Sequence, residues 1–136
     1  MTTARDLMTP SPDVVDGSTT VLDVAKKLAA GDYGALPVCD GDRLTGMITD
    51  RDIVVKVLAA GKDPASTTVS ELGTFEVVTI GADDSVEEAM RTMSKHQVRR
   101  LPVIDGTTLV GMLAQADLAR SGDDRGVGET VENISQ

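Results

Sequence analysis

Val21, Val24, Ala25 and Leu28 recur at the three- and four-residue spacing that gathers side chains on one helical face, and Val86, Ala89, Met90 and Met93 do the same further on. Each set predicts an amphipathic helix packed by one side. Ser85-Val86-Glu87-Glu88 has the capping-box form at the start of the later helix, where a hydroxyl and a carboxylate serve amides that lack helical partners. Behind each helix come two short apolar stretches, 35–39 with 44–49 and 100–104 with 109–114, joined through Asp40-Gly41 and Asp105-Gly106. An Asp-Gly step between such stretches predicts a tight hairpin. A second helix is predicted over 52–60, ended by Gly61, whose missing Cβ suits a left-handed helix end. Thr3-Ala4-Arg5-Asp6 and Thr68-Val69-Ser70-Glu71 read as short helix starts ahead of extended pieces near Val14-Val15 and over 77–80.

The pattern is internally repeated. Leu36-Pro37-Val38 returns as Leu101-Pro102-Val103, Asp40-Gly41 as Asp105-Gly106, Leu44 as Leu109, Gly46-Met47 as Gly111-Met112 and Asp52 as Asp117, every pair 65 apart. These nine identities fall within 17 positions without a gap, so the chain is two copies of one unit. The expected organisation is a first copy over 3–60, a linker over 61–67 containing Pro64, a second copy over 68–121 and a flexible acidic tail over 122–136. One copy of about 50 residues buries too little surface to stand comfortably alone. Paired copies are expected to form two pseudo-equivalent clefts, a preferred setting for small-molecule sites.

Charge and composition then narrow the partners. Thirteen Lys and Arg against 22 Asp and Glu leave a net charge of −9, which repels a phosphate backbone, and one Tyr with one Phe cannot supply stacking platforms for bases. Nucleic-acid polymers are not the expected partner. No run of about 18 apolar residues occurs, and Met1-Thr2-Thr3-Ala4-Arg5-Asp6 lacks the basic-then-apolar order of a signal peptide. The expectation is no membrane association and a cytoplasmic location. The single cysteine, Cys39, reads as a small buried hydrophobe, and it does not make a zinc site with the single histidine, His96, so no metal is expected. Neither residue has a recognisable catalytic partner motif, so no catalytic residue is assigned and no enzyme is expected.

The Leu-Pro-Val strand followed by Gly46-Met47-Ile48-Thr49-Asp50-Arg51-Asp52, repeated as His96 to Val103 with Gly111-Met112-Leu113 and Asp117, resembles the CBS domain. In tandem it resembles a Bateman module, similar to small stand-alone CBS-pair proteins of actinobacteria, over about residues 3 to 121. The resemblance implies an α+β fold of two CBS repeats, each helix-strand-helix-strand-strand-helix, packed sheet to sheet with pseudo-two-fold symmetry and commonly joined as a homodimer. It implies a regulatory binding module that needs no cofactor, takes an adenosine-containing ligand (AMP, ADP, ATP or S-adenosylmethionine) in the inter-repeat cleft, and signals energy or stress state to a separate effector protein. The family's ribose contacts fall on Thr49 and Asp52. The second copy keeps Asp117 but has Ala114 at the hydroxyl position, so its cleft is expected to bind more weakly. Arg99 and Arg100, with His96 beside them, match the family's phosphate contacts, and Arg99 is a candidate to serve the Thr49 and Asp52 cleft. Tyr33, Leu36, Pro37 and Met47 are the expected adenine contacts. Each has a plainer reading. Asp52 or Asp50 can merely cap a helix, Arg99 and Arg100 can pair on a solvated surface, and His96 can be a helix-end surface residue. The competing function is a ligand-free dimeric interaction or structural protein of the stress response whose clefts have drifted.

Overall fold

The computed structural model describes residues 1–73 and 76–119; the tail expected over 122–136 lies outside the described residues. The elements run α1 (Ala4–Leu7), β1 (Thr9–Pro10), α2 (Val21–Gly31), β2 (Ala35–Asp40), β3 (Arg43–Thr49), α3 (Asp50–Ile53) continued by a π turn (Val54–Leu58), a 3-10 turn (Val69–Leu72), β4 (Ile80–Gly81), α4 (Val86–His96), β5 (Arg100–Asp105), β6 (Thr108–Ala114) and α5 (Gln115–Ala119). The chain is α+β, and no described helix is long and apolar enough to cross a membrane.

Both amphipathic helices form, with Val21, Val24 and Leu28 buried on α2 and Val86, Ala89, Met90 and Met93 on α4. Ser85 Oγ accepts the Glu88 amide at 3.1 Å, but only half of the expected capping box forms, and the Glu88 carboxylate pairs with Arg91. At α2 the Thr20 hydroxyl accepts the Asp23 amide at 3.2 Å. Thr67 and Pro64 offer their carbonyls to the Val21 and Leu22 amides at 2.8 and 2.9 Å. The linker is therefore docked on a helix start, where free amides need acceptors, and Thr67 is buried.

The helix expected over 52–60 starts two residues earlier and then widens into the π turn. Ile53 and Val57 enter the core, while Val54, Val55 and Leu58 stay more than half exposed. Gly61 has the positive φ expected of it, +74°. Both hairpins turn on Asp-Gly, with Gly41 at φ +63° and Gly106 at +65°. Their registers are the same: Leu36 opposes Ile48 and Pro37 opposes Met47, as Leu101 opposes Leu113 and Pro102 opposes Met112.

The residues gather into two compact units that cut across the sequence copies. The first unit is Asp13–Val77, and the second joins Met1–Pro12 to the chain from Val78. Val69 opens the second sequence copy yet is buried in the first unit's core with Val21, Val24, Leu36 and Ile48. Ala4 opens the first copy yet is buried in the second unit with Val86, Met93, Leu101 and Leu113. Matching backbone bonds hold these exchanged segments. The Val69 and Ser70 amides donate to the Thr19 and Gly17 carbonyls, and the Ala4 and Arg5 amides to those of Asp84 and Ala82, all at 2.9 Å.

In the second unit β1 pairs with β6, placing Pro10 opposite Gly111. A Cβ at Gly111 would lie 2.5 Å from Met8 Sδ and 2.8 Å from the Thr9 carbonyl oxygen, whereas one at Gly34 would meet nothing within 4 Å. Gly111→Ala is expected to destabilise by about 1–3 kcal/mol, as overpacking does, and Gly34→Ala to stay within about 0.5 kcal/mol of the parent. Urea unfolding midpoints at constant slope check both values.

Candidate functional site

Thr49 ends β3 and is the N-cap of α3, so the strand delivers its hydroxyl to the helix start. The Asp52 amide donates to Thr49 Oγ1 at 3.1 Å, while Asp52 Oδ2 accepts the Thr49 amide at 2.8 Å and the Thr49 hydroxyl at 3.0 Å. The capping reading of these residues is thus real. It occupies one carboxylate oxygen. The other, Oδ1, faces Lys56 Nζ at 3.6 Å, beyond hydrogen-bond length. Lys56 was not among the residues singled out from sequence, although an Asp followed four positions later by Lys is a recognisable helical pair.

Asp117 repeats this arrangement in the second unit without the hydroxyl. Its Oδ2 accepts the Ala114 amide at 2.7 Å, and the residue is buried, whereas Asp52 is half-buried. Arg99 and Arg100 lie just ahead of and at the start of β5, both exposed, and His96 is the exposed last residue of α4. His96, Arg99, Arg100 and Asp117 all fall in the second unit, while Thr49 and Asp52 belong to the first.

Of the expected adenine contacts, Leu36 is 2% exposed and packed among the core residues of the first unit. Its cross-strand partner is Ile48, and strand alternation puts the next pair, the buried Pro37 and the half-buried Met47, on the opposite face. Tyr33 is half-buried, with its ring over Gly31 and its hydroxyl donating to Asp13 at 3.2 Å. Asp13 is another residue that sequence spacing did not reveal, because the contact spans 20 positions.

The CBS domain family model matches residues 4–59 and 69–124. The chain belongs to the CBS domain family. It is 44% identical over 135 residues to Hypoxic response protein 1 of Mycobacterium tuberculosis, covering 98% of this chain and 94% of that one. The crystal structure of Hypoxic Response Protein I with two coordinated zinc ions superposes with a TM-score of 0.79 at 47% identity, over 89% of this chain and 99% of that one. CBSX2 in complex with AMP gives 0.75 at 28% identity, over 90% and 97%. The CBS pair of MJ0100 in complex with 5-methylthioadenosine and S-adenosylmethionine gives 0.71 at 30%, over 88% and 98%. This CBS pair is thus similar both to a hypoxic-response protein and to CBS pairs crystallised with adenosine compounds.

Among the described residues no three His, Cys, Asp or Glu side chains group to hold a metal ion. Cys39 is buried, and that burial, followed by the charge of Asp42, pushes its thiol up and disfavours the thiolate a metal would need. Thr49→Ala removes the acceptor of the Asp52 amide and is expected to lower stability by about 0.5–2 kcal/mol. Chemical denaturation of the two proteins checks the loss.

Proposed function

We propose that this CBS pair is a regulatory module whose Thr49 and Asp52 hold the ribose of an adenosine-containing ligand, with AMP, ADP, ATP and S-adenosylmethionine as the candidates. The observation that carries this reading is the division of labour at Asp52: Oδ2 is fixed by Thr49, while Oδ1 has no hydrogen bond among the described residues. A carboxylate oriented by its own cap presents Oδ1 to neighbouring ribose hydroxyls without losing its anchor. Each such charge-assisted bond contributes about 1.5–3 kcal/mol before desolvation. Two of them are a substantial part of the roughly 8 kcal/mol of micromolar binding.

The base is assigned to Met47 and Tyr33, which are half-buried; Leu36 drops out, because its side chain belongs to the core, and Pro37 is likewise buried. The phosphate is assigned to Arg99, Arg100 and His96, exposed residues at the end of α4 and the start of β5. Asp117 is the weaker ribose contact, since Ala114 supplies no hydroxyl. The similarity to CBSX2 with AMP and to MJ0100 with adenosine compounds supports the ligand class. The output is binding to a separate effector protein, and the module acts by ligand binding without catalysis.

Ligand at about 100 times its Kd stabilises the native state by roughly 2.7 kcal/mol, a rise in Tm of several degrees. Thermal shift with the four candidates at millimolar concentration tests the reading, each variant being referred to its own ligand-free Tm. At least one candidate is expected to raise Tm. Asp52→Ala should remove most of that rise, and Asp117→Ala less of it. No rise with any of the four overturns the proposal.

A second reading has its own observation. Val54, Val55 and Leu58 expose 54%, 51% and 56% of their surface on one short helical stretch, an apolar patch suited to a homodimer contact. If dimerisation alone is the function, Val55→Glu combined with Leu58→Glu yields monomer in analytical ultracentrifugation, and no adenosine ligand raises Tm in the parent.

A further inference from the structure

Lys56 is the part of the candidate site that the ribose reading leaves unused. The stretch from Asp50 to Leu58 passes from α-helix into the π turn, whose Val54 carbonyl accepts the Ala59 amide at 2.9 Å. A π turn takes more residues per turn than an α-helix, and burial here repeats every four residues. Ile53 and Val57 enter the core, while the residues just ahead of them, Asp52 and Lys56, are both half-buried. The wide turn thus sets Lys56 over Asp52. Its Nζ lies 3.6 Å from Oδ1, with both side chains partly exposed.

Two observations separate this pair from one kept only for the helix. The separation exceeds hydrogen-bond length, so the ammonium does not cap Oδ1. The other observation comes from the repeat. Shifting by 65 gives Asp117 for Asp52, but Ala114 for Thr49 and Ser121 for Lys56. The aspartate that serves the helix start occurs in both units, whereas the hydroxyl and the cation occur together in the first and are both missing from the second.

We propose that Asp52 and Lys56 form a clamp for a vicinal diol, in which Oδ1 accepts the proton of one ribose hydroxyl and the Lys56 ammonium donates to the oxygen of that hydroxyl or its neighbour. The clamp rests on the ribose reading above and names the residue that gives it specificity. A hydroxyl is donor and acceptor at once, and a carboxylate alone answers only the donor. Lys56 supplies the other half, with three donors on a flexible stem. Admitting an oxygen at hydrogen-bond length from both groups needs the ammonium to withdraw by about 1 Å. Thr49 meanwhile holds Oδ2, so the carboxylate stays in place. An ion pair that reaches solvent is weak, so opening it opposes binding little.

The test is calorimetric titration of the full chain with AMP, 2′-deoxy-AMP and 3′-deoxy-AMP, in the parent and in Lys56→Met, which keeps the length of the side chain without its charge. The parent is expected to prefer AMP to each deoxy form by about tenfold or more, the loss of one charge-assisted bond. Lys56→Met should weaken AMP by about three- to tenfold and reduce the preference over at least one deoxy form by about threefold or more, because the hydroxyl oxygen has lost its donor. Lys56→Arg keeps donors and should retain most of the preference. A purely structural lysine, or one that meets only the phosphate, would change all three affinities by the same factor. That result overturns the clamp, and loss of AMP binding in Asp52→Ala would then leave the ribose reading standing. Tighter AMP binding in Lys56→Met also overturns it, since Lys56 would then be a competitor for Oδ1. Absence of AMP binding to the parent overturns the clamp, and it takes the ribose reading with it only when ADP, ATP and S-adenosylmethionine fail as well.

Discussion

Four backbone hydrogen bonds govern the architecture: Val69 and Ser70 to Thr19 and Gly17, and Ala4 and Arg5 to Asp84 and Ala82. Each ties the opening turn of one sequence copy into the core of the other. A valine or alanine with no exposed surface sits behind each pair, and a buried valine removed from its pocket forfeits about 1.5–3 kcal/mol of apolar burial. Neither copy therefore completes a core from its own residues. The repeat persists because each half supplies the segment the other lacks. The linker has the same logic, since its Pro64 and Thr67 carbonyls cap α2.

Much of this was legible because periodicity and turn chemistry are local. The α2 and α4 faces follow from three- and four-residue spacing, and both hairpins from Asp-Gly steps whose glycines adopt positive φ. What was not legible is non-local. Nothing in Thr68-Val69-Ser70-Glu71 says which core Val69 will enter, and nothing in the spacing of Tyr33 and Asp13 says that they meet. The π turn at Val54–Leu58 escaped for another reason: an unbroken apolar run carries no phase, so the residues chosen for the core are set by packing. At the candidate site the residue types were readable, but the division of Asp52 into a capping oxygen and one that faces Lys56 required coordinates.

Capping and ligand binding at Asp52 are therefore not rival explanations. A carboxylate that binds ribose needs a fixed orientation, and the cap supplies it in the absence of ligand, so little ordering is left to oppose binding. The same logic explains how Asp117 can persist without a hydroxyl beside it. Its Oδ2 still accepts the Ala114 amide at the helix start. The presence of Asp at both positions is therefore silent about ligands, and Thr49 against Ala114 is the informative difference.

That difference has a counterpart at the Asp-Gly hairpin turns. In the second unit Arg5 is spent on Asp83 and Asp105, Asp117 is buried, and the hydroxyl is missing. In the first unit Thr49 and the partly exposed Asp52 are present, and Ser70 stands where the second unit has Arg5. Two independent substitutions thus distinguish the units, Ala114 against Thr49 and Arg5 against Ser70. Duplicated halves that must complete each other's cores cannot both be relaxed freely, because each carries part of the other's stability. One unit saturated by its own contacts secures the pair and lets the other keep incompletely satisfied groups at its surface, which is the condition for binding anything at all.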